Sequence, residues 1–240
     1  MVLTLRNNLG STLDVNKTED MPSEGKHGAY WGTGSTGAAT GMWQGLISAS
    51  AVGTGAFQNL NISSAGVKAR SATGTTINSI IGHRVSSLHT ERDMNPRVEF
   101  KVSYPTAVTT MRAYLGYTSS ASAPASAADP LANLKGVGFW YDSAVDTEWM
   151  IAQNDGSASS DITTIVNIAT AGTAVHTYGI RADNAASKFE YSYDGGAWTT
   201  VNTKIPAATD TLTVHWYIEC LAGTASRTID VYWVQGWQSG

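Results

Sequence analysis

The amino-acid sequence predicts an all-β fold in which two antiparallel sheets pack against each other as a sandwich. In several segments apolar residues alternate with polar ones, which is the pattern of a half-buried strand. Turn-forming residues separate these segments at intervals of roughly 8 to 14 residues, as expected for sandwich strands, and none of the intervals has the pattern of an amphipathic helix. The chain has 240 residues, of which 42% are hydrophobic, so one large β domain can fill its core.

The clearest strand pattern lies at 212–220, and its predicted core residues are Leu212, Val214, Trp216, Ile218 and Cys220. Further strands are predicted at 98–104, 110–117, 136–141, 147–153, 162–168, 175–182, 189–193 and 229–233. The run Asp194-Gly195-Gly196 predicts a turn, after which Trp198 begins the return strand. Because the connections are too short for parallel crossovers, the sandwich is predicted to be an antiparallel jelly roll.

The domain organisation predicted from composition is an extended arm at 1–27 followed by a jelly-roll domain at 28–240. The arm is polar and irregular, and its few apolar side chains cannot offset the entropy of ordering it alone. It is therefore expected to become ordered against a partner. The apolar residues expected to dock there are Val2, Leu3, Leu5, Leu9, Leu13 and Val15.

Charge and cysteine content argue against several kinds of partner. The formal net charge is −4 and there is no basic run, so neither nucleic acid nor a membrane surface is an expected partner. The single cysteine, Cys220, excludes an intramolecular disulfide and a multi-cysteine zinc site. Neither a signal peptide nor an apolar run of about 18 residues is found, which predicts a soluble, uncleaved product made in a cytoplasm.

Two further motifs have simple explanations. The run Gly32-Thr33-Gly34-Ser35-Thr36-Gly37 formally fits a dinucleotide-binding fingerprint, but it lacks the flanking strand and helix that this chemistry needs. The segment with His83, His89, Glu91 and Asp93 contains metal-ligand residue types without a known ligand spacing. It is interpreted as a polar surface segment.

Aromatic residues divide by their position in the alternation. Trp216 and Phe139 share the parity of the core residues, whereas Trp140, Tyr217 and Tyr232 have the opposite parity and are expected to stand outside. An exposed aromatic side chain on a sheet face is a candidate contact for a sugar or for a neighbouring protein. These three residues are therefore the candidate surface contacts.

The order of several short motifs resembles concanavalin A-like jelly-roll domains of tailed-bacteriophage structural proteins. The first set comprises Gly66–Ser71, Glu99–Val102, Tyr114–Tyr117, Gly136–Tyr141 and Glu148–Trp149. The later set comprises Tyr178–Arg181, Phe189–Gly195, Ile205–Pro206 and Arg227–Val234. The resemblance extends over about residues 28 to 237 and rests on the succession of strands. The arm at 1–27 has no counterpart in it.

This resemblance implies a non-enzymatic virion structural protein, with an outer capsid decoration or cementing protein as the first expectation. Its partners would be the major capsid protein or other virion proteins and copies of itself, with a trimer as one candidate, in a virion assembled in the host cytoplasm. The alternative is a lectin-like carbohydrate-binding module of a head or tail fibre that recognises a host surface glycan. The chain shows no heptad or triple-helix repeat of the kind that a fibre rod would carry.

The same fold also occurs in glucanases, which use closely spaced carboxylates on one strand. Here Glu99 stands alone in its strand, and Glu190 and Asp194 lie four residues apart with the second in a turn. Asp142 and Asp146 lie at a predicted hairpin tip, where carboxylates are expected to be solvated. Whether they bind a calcium ion is left undecided by the sequence. We therefore expect neither catalysis nor a cofactor.

Overall fold

A computed structural model of the chain describes residues 26–31, 46–52, 56–58, 69–85, 90–120, 127–164, 172–223 and 225–239. In chain order the strands are β1 (Lys26–Trp31), β2 (Leu46–Val52), β3 (Ala56–Gln58), β4 (Ala69–Ala72), β5 (Ser79–Val85), β6 (Arg97–Ser103), β7 (Met111–Thr118), β8 (Lys135–Asp142), β9 (Met150–Asp155), β10 (Asp161–Thr164), β11 (His176–Asp183), β12 (Lys188–Tyr193), β13 (Thr199–Val201), β14 (Thr213–Cys220) and β15 (Thr228–Ser239). A short 3-10 helix, Arg92–Met94, precedes β6. Within these ranges no helix is long and apolar enough to cross a membrane.

The strands form two sheets. The eight-stranded sheet has the order β13-β12-β11-β6-β15-β4-β3, and β1 pairs with β15 beside β4. The seven-stranded sheet has the order β10-β9-β8-β7-β14-β5-β2. The strand pairs in both sheets are antiparallel. The predicted all-β, two-sheet antiparallel jelly-roll sandwich is confirmed.

The core lies between the sheets and takes apolar side chains from both. Phe100 of β6 meets Trp216 of β14 edge to face, with 5.9 Å between ring centroids, and Phe139 of β8 meets Tyr178 of β11 in the same way at 5.1 Å. Leu212, Val214, Trp216 and Ile218 all belong to this core, and Cys220 is fully buried at the end of the strand. The predicted core register of β14 is therefore confirmed.

Two segments depart from the prediction. The segment interpreted as a polar surface starts inside β5, where His83 pairs with Trp216 of β14 and Ser48 of β2. Asp93 is exposed and Glu91 is half-buried, as that interpretation expects, whereas Thr90 and Arg92 are buried. In β15 a bulge between Val231 and Trp233 shifts the register, so the core residues after it no longer follow the parity before it.

Several predicted features lie outside the described residues. They include the arm residues Val2 to Val15 and the glycine-rich run 32–37. Lys26 and His27, which the composition assigns to the end of the arm, are the first two residues of β1 and pair with Ser239 and Gln238 of β15. The described domain therefore includes the last two positions of the predicted arm.

Candidate functional site

The outer face of the seven-stranded sheet carries ordered rows of side chains across β14, β7 and β8. Glu219, Arg112 and Asp142 are paired across the three strands and form the charged row. Tyr217, Tyr114 and Trp140 are paired in the same way and form the aromatic row. Because facing residues of neighbouring strands project to the same side, each row presents its side chains together.

In the charged row one guanidinium serves two carboxylates. Arg112 Nε donates to Asp142 Oδ2 at 2.6 Å, and Arg112 Nη1 lies 3.5 Å from Glu219 Oε2. The Asp142 and Glu219 side chains are 1% and 0% exposed, against 15% for Arg112. Burial lowers the pKa of Arg112, but its bonds to the two carboxylates outweigh that effect and raise the pKa above its usual value. The carboxylates of Asp142 and Glu219 are thus both ion-paired with Arg112.

The hairpin tip after β8 differs from its predicted solvated state. Asp142 is buried rather than solvated, because its Oδ1 accepts a hydrogen bond from the backbone N–H of Ala144 at 2.9 Å while its Oδ2 pairs with Arg112. Burial is the main cause that raises the pKa of Asp146; a hydrogen bond that its carboxylate accepts from the backbone of Asp142 opposes the shift, and the charge of Asp142 adds to it. Among the residues that the structure describes, no three or more His, Cys, Asp or Glu side chains form a group suited to a metal ion.

The aromatic row brings two of the three candidate contacts together. Tyr217 stacks on Tyr114 with 5.8 Å between centroids and lies 6.4 Å from Trp140. The expected exposure of these residues is wrong: Trp140 is 1% and Tyr217 is 4% exposed. Burial, and next the charge of Glu219, raise the pKa of Tyr217. The alternation of the strands places Trp140 and Tyr217 on the correct, outer face of the sheet, but other residues cover this part of the face.

The cover is a second apolar cluster on top of the sheet, formed by Ile80, Tyr114, Leu131, Trp140, Ala152 and Tyr217. The Tyr114 ring lies directly over Gly138, where a Cβ would be 2.4 Å from the ring carbon Cζ. Leu131 comes from the segment between β7 and β8 and closes the cluster from above. The aromatic row is therefore packed as a second core, and its rings are not available to a ligand in this arrangement.

The segment that carries Leu131 is tied down by hydrogen bonds. Asn154 Nδ2 donates to the carbonyl of Leu131 at 2.7 Å, and Asp129 Oδ1 accepts from the backbone N–H of Leu131 at 3.0 Å. Asp129 Oδ2 also accepts from the backbone N–H of Ser160 at 2.8 Å. These hydrogen bonds join the segment to β9 and to the turn that follows β9, so the segment that covers the aromatic row is held in a defined position.

The third candidate contact, Tyr232, lies on the other sheet. It is the extra residue of the β15 bulge and is half-buried. The structure therefore does not bring it together with Trp140 and Tyr217, which lie on the seven-stranded sheet. Tyr232 is expected to stand outside, and in the structure it is half-buried at the bulge, which interrupts the regular alternation of the strand.

The outer face of the eight-stranded sheet carries a different aromatic site, which we call the arginine–tryptophan platform: Trp198, Arg97, Arg181, Glu99 and Glu190. Trp198 precedes β13 and reaches across to β11, where a Cβ at Gly179 would be 3.0 Å from its ring atom Cη2. The Arg181 and Arg97 guanidinium carbons lie 4.3 Å and 5.2 Å from the indole centroid, which is cation–π geometry. The indole is half-buried.

Carboxylates hold both arginines of the platform in place. Arg97 Nη2 donates to Glu99 Oε1 at 2.5 Å, and Arg181 Nε donates to Glu190 Oε2 at 2.6 Å. Lys188 Nζ donates to the other oxygen of Glu190 at 2.7 Å. Burial would raise the pKa of Glu190, but these hydrogen bonds from Lys188 and Arg181 outweigh it and hold the pKa below its usual value.

Sequence reasoning missed the platform. The only signal was Trp198 itself, which follows a turn and was assigned simply to a return strand. A local sequence pattern does not show that Gly179 of β11 lies two strands away from β13 in the same sheet, where the lack of a side chain leaves room for the Trp198 indole. A half-buried aromatic ring edged by fixed hydrogen-bonding groups can contact the apolar face of a sugar while the charged groups bind its hydroxyls.

Comparison with known proteins supports the fold. No family model and no curated protein matches the chain. A protein of unknown function from Shewanella oneidensis MR-1 is similar in structure, with a TM-score of 0.64, 12% identity, and coverage of 89% of this chain and 86% of that one. Peanut lectin matches with a TM-score of 0.59 and 11% identity, over 89% of this chain and 97% of the lectin chain. The potassium-bound carbohydrate recognition domain of Emp46p matches with a TM-score of 0.58 and 6% identity, over 80% of this chain and 88% of that one. The domain therefore has a β-sandwich of the concanavalin A and legume-lectin type.

Proposed function

We propose that this protein is a non-enzymatic carbohydrate-binding domain and that the sugar binds at the arginine–tryptophan platform. The observation that carries the proposal is the half-buried Trp198 on the outer face of the eight-stranded sheet, flanked by arginines that Glu99 and Glu190 orient. Aromatic rings and charged hydrogen-bonding groups are the recurring components of polar-ligand recognition. The similarity to lectins and to a carbohydrate recognition domain supports the proposal at the level of the fold.

The absence of catalysis is part of the proposal and is supported by how the carboxylates are used. Hydrolysis of a glycoside requires one carboxylic acid that can donate a proton and a second carboxylate facing it across the sugar. Asp142 and Glu219 are buried and share Arg112. Glu190 is held by Arg181 and Lys188. Carboxylates fixed in this way serve as structural anchors rather than as acid and base.

The proposal is tested by titrating diverse soluble oligosaccharides against the wild type and Trp198→Ala. We expect saturable binding that weakens by about tenfold or more in the variant, because truncating a central aromatic contact removes a large part of the binding energy. Tyr232→Ala is the control, since Tyr232 is a half-buried aromatic residue outside the platform, and it should bind as the wild type does. A flat response of the wild type across all the glycans would reject the function. Loss in Tyr232→Ala alone would reject the site.

The location in a virion rests on the resemblance to bacteriophage structural proteins. We propose it as the setting of the glycan-binding domain, with the major capsid protein or other virion proteins as partners and self-association as a homo-oligomer. Labelling of purified particles with an antibody against the chain should decorate either the capsid shell or a fibre. Particles that contain no copy of the chain would reject this setting and leave the carbohydrate proposal intact.

A further inference from the structure

We propose that the sugar bound at the arginine–tryptophan platform carries a carboxylate, as a uronic acid does, and that Arg181 binds this carboxylate through its two terminal nitrogens. This inference rests on the proposed function and adds the chemical class of the ligand. It depends on three observations: the orientation of Arg181, the free edge of its guanidinium, and the difference in exposure between the cations and the anions of the platform.

The orientation of Arg181 is fixed from two sides. Its Nε donates to Glu190 Oε2 at 2.6 Å, and its guanidinium carbon lies 4.3 Å from the centroid of Trp198. Glu190 is itself held by Lys188 at 2.7 Å. An arginine that is already held in this way loses little side-chain entropy when it binds a ligand, so its position is suited to recognition.

The bond to Glu190 uses the Nε position and leaves the other edge of the guanidinium available. Among the described residues, Nη1 and Nη2 of Arg181 have no hydrogen-bond partner, and 38% of the side chain is exposed. Two parallel N–H donors match the two oxygens of a carboxylate, which gives the bidentate pair typical of arginine. The free edge of Arg181 therefore fits a planar carboxylate better than a lone hydroxyl group.

The charges of the platform are layered. The arginine side chains Arg97 and Arg181 are 35% and 38% exposed, whereas their partners Glu99 and Glu190 are 16% and 9% exposed. The anions thus lie closer to the sheet and the cations closer to solvent. An approaching ligand meets positive charge first, although the whole chain has a net charge of −4. This local complementarity favours an anionic ligand over a neutral one.

The ligand chemistry follows from combining these features. A uronic acid presents a carboxylate on a sugar ring, so the carboxylate can pair with Arg181 while the C–H face of the ring contacts the part of the Trp198 indole that the two guanidinium groups leave exposed. A neutral sugar offers the same ring to the indole but leaves the Nη edge without an ionic partner. The inference is therefore a preference for acidic over neutral sugars of the same backbone.

The experiment compares matched pairs of oligosaccharides with the same linkage that differ mainly in the carboxylate: glucuronan with cello-oligosaccharide, mannuronan with β-1,4-mannan, and galacturonan with an α-1,4-linked galacto-oligosaccharide. Binding is measured by calorimetry with the wild type, Arg181→Gln and Lys204→Gln. We expect at least one uronan to bind about tenfold or more tightly than its neutral partner. Arg181→Gln should remove this preference and keep the weaker neutral binding. Added salt should weaken uronan binding in the wild type, because exposed charges are screened.

Lys204→Gln is the matched control, because it removes the same charge from a lysine paired with Asp161 near β10, away from the platform. It should retain the preference for the uronan. Equal affinity for acidic and neutral partners in the wild type would overturn the carboxylate inference and leave the carbohydrate proposal standing. An equal loss of uronan binding in both variants would also overturn it, because a general charge effect would then explain the preference. Binding of none of the six oligosaccharides would reject both proposals for these sugars.

Discussion

Arg112→Met is expected to destabilise the domain by about 3 kcal/mol, because it leaves Asp142 and Glu219 buried without their shared cation. Removing one partner of a buried ion pair costs about 3 to 5 kcal/mol, since the remaining charge has lost both water and its counter-ion. We place the expected value at the lower end of this range, because 15% of the arginine side chain reaches solvent. Urea unfolding of wild type and variant measures the difference.

The control for this prediction is the triple variant Arg112→Met, Asp142→Asn and Glu219→Gln. It removes all three charges of the row, and Asn and Gln keep the size of Asp and Glu, so most of the lost stability should return. A single variant as stable as the wild type would show that the buried carboxylates do not depend on Arg112. A triple variant no more stable than the single one would assign the loss to packing instead.

Trp216→Ala is expected to destabilise the domain by about 3 to 5 kcal/mol, because it removes a fully buried ring from the centre of the core. Trp216 lies on β14 and meets Phe100 from the opposite sheet edge to face at 5.9 Å. The alanine variant leaves a cavity between the two sheets. Urea unfolding monitored by circular dichroism measures the loss, provided that the transition remains two-state.

Trp216→Phe is the comparison for this second prediction. Phenylalanine retains an aromatic ring between the sheets and leaves a smaller cavity, so the loss should be clearly less than in Trp216→Ala. Equal losses for the two substitutions would contradict the assignment of Trp216 to a tightly packed position. A loss below about 1 kcal/mol in the alanine variant would contradict it as well.

The strands could be predicted from the sequence because their inner faces are uniformly apolar. Along Leu212 and the following strand β14, every second side chain up to Cys220 is predicted to face the core, and in the structure each of these residues is buried. Alternation gives which side of the sheet a residue faces. It does not give what lies above that side, and this is why Trp140 and Tyr217 were placed on the correct face but with the wrong exposure.

The candidate site could not be predicted because it depends on residues distant in the chain. Trp198 reaches Gly179 only because β12 and β11 are neighbours in the sheet, and Arg97 joins them because β6 lies on the other side of β11. A local pattern contains none of these neighbour relations. The same limit applies to Leu131, whose role as a cover follows from its hydrogen bonds to Asn154 and Asp129.

The positions of β14 and β15 in the two sheets have a consequence for how the chain folds. Each of these late strands lies in the interior of its sheet: β14 joins β7 to β5, and β15 joins β6 to β4 and β1. Until both are synthesised, each sheet consists of separate groups of strands. Such long-range pairing makes folding slow, because loop closure must occur before the contacts form. Because β14 and β15 follow the other described strands in chain order, neither sheet can be completed before this part of the chain is present.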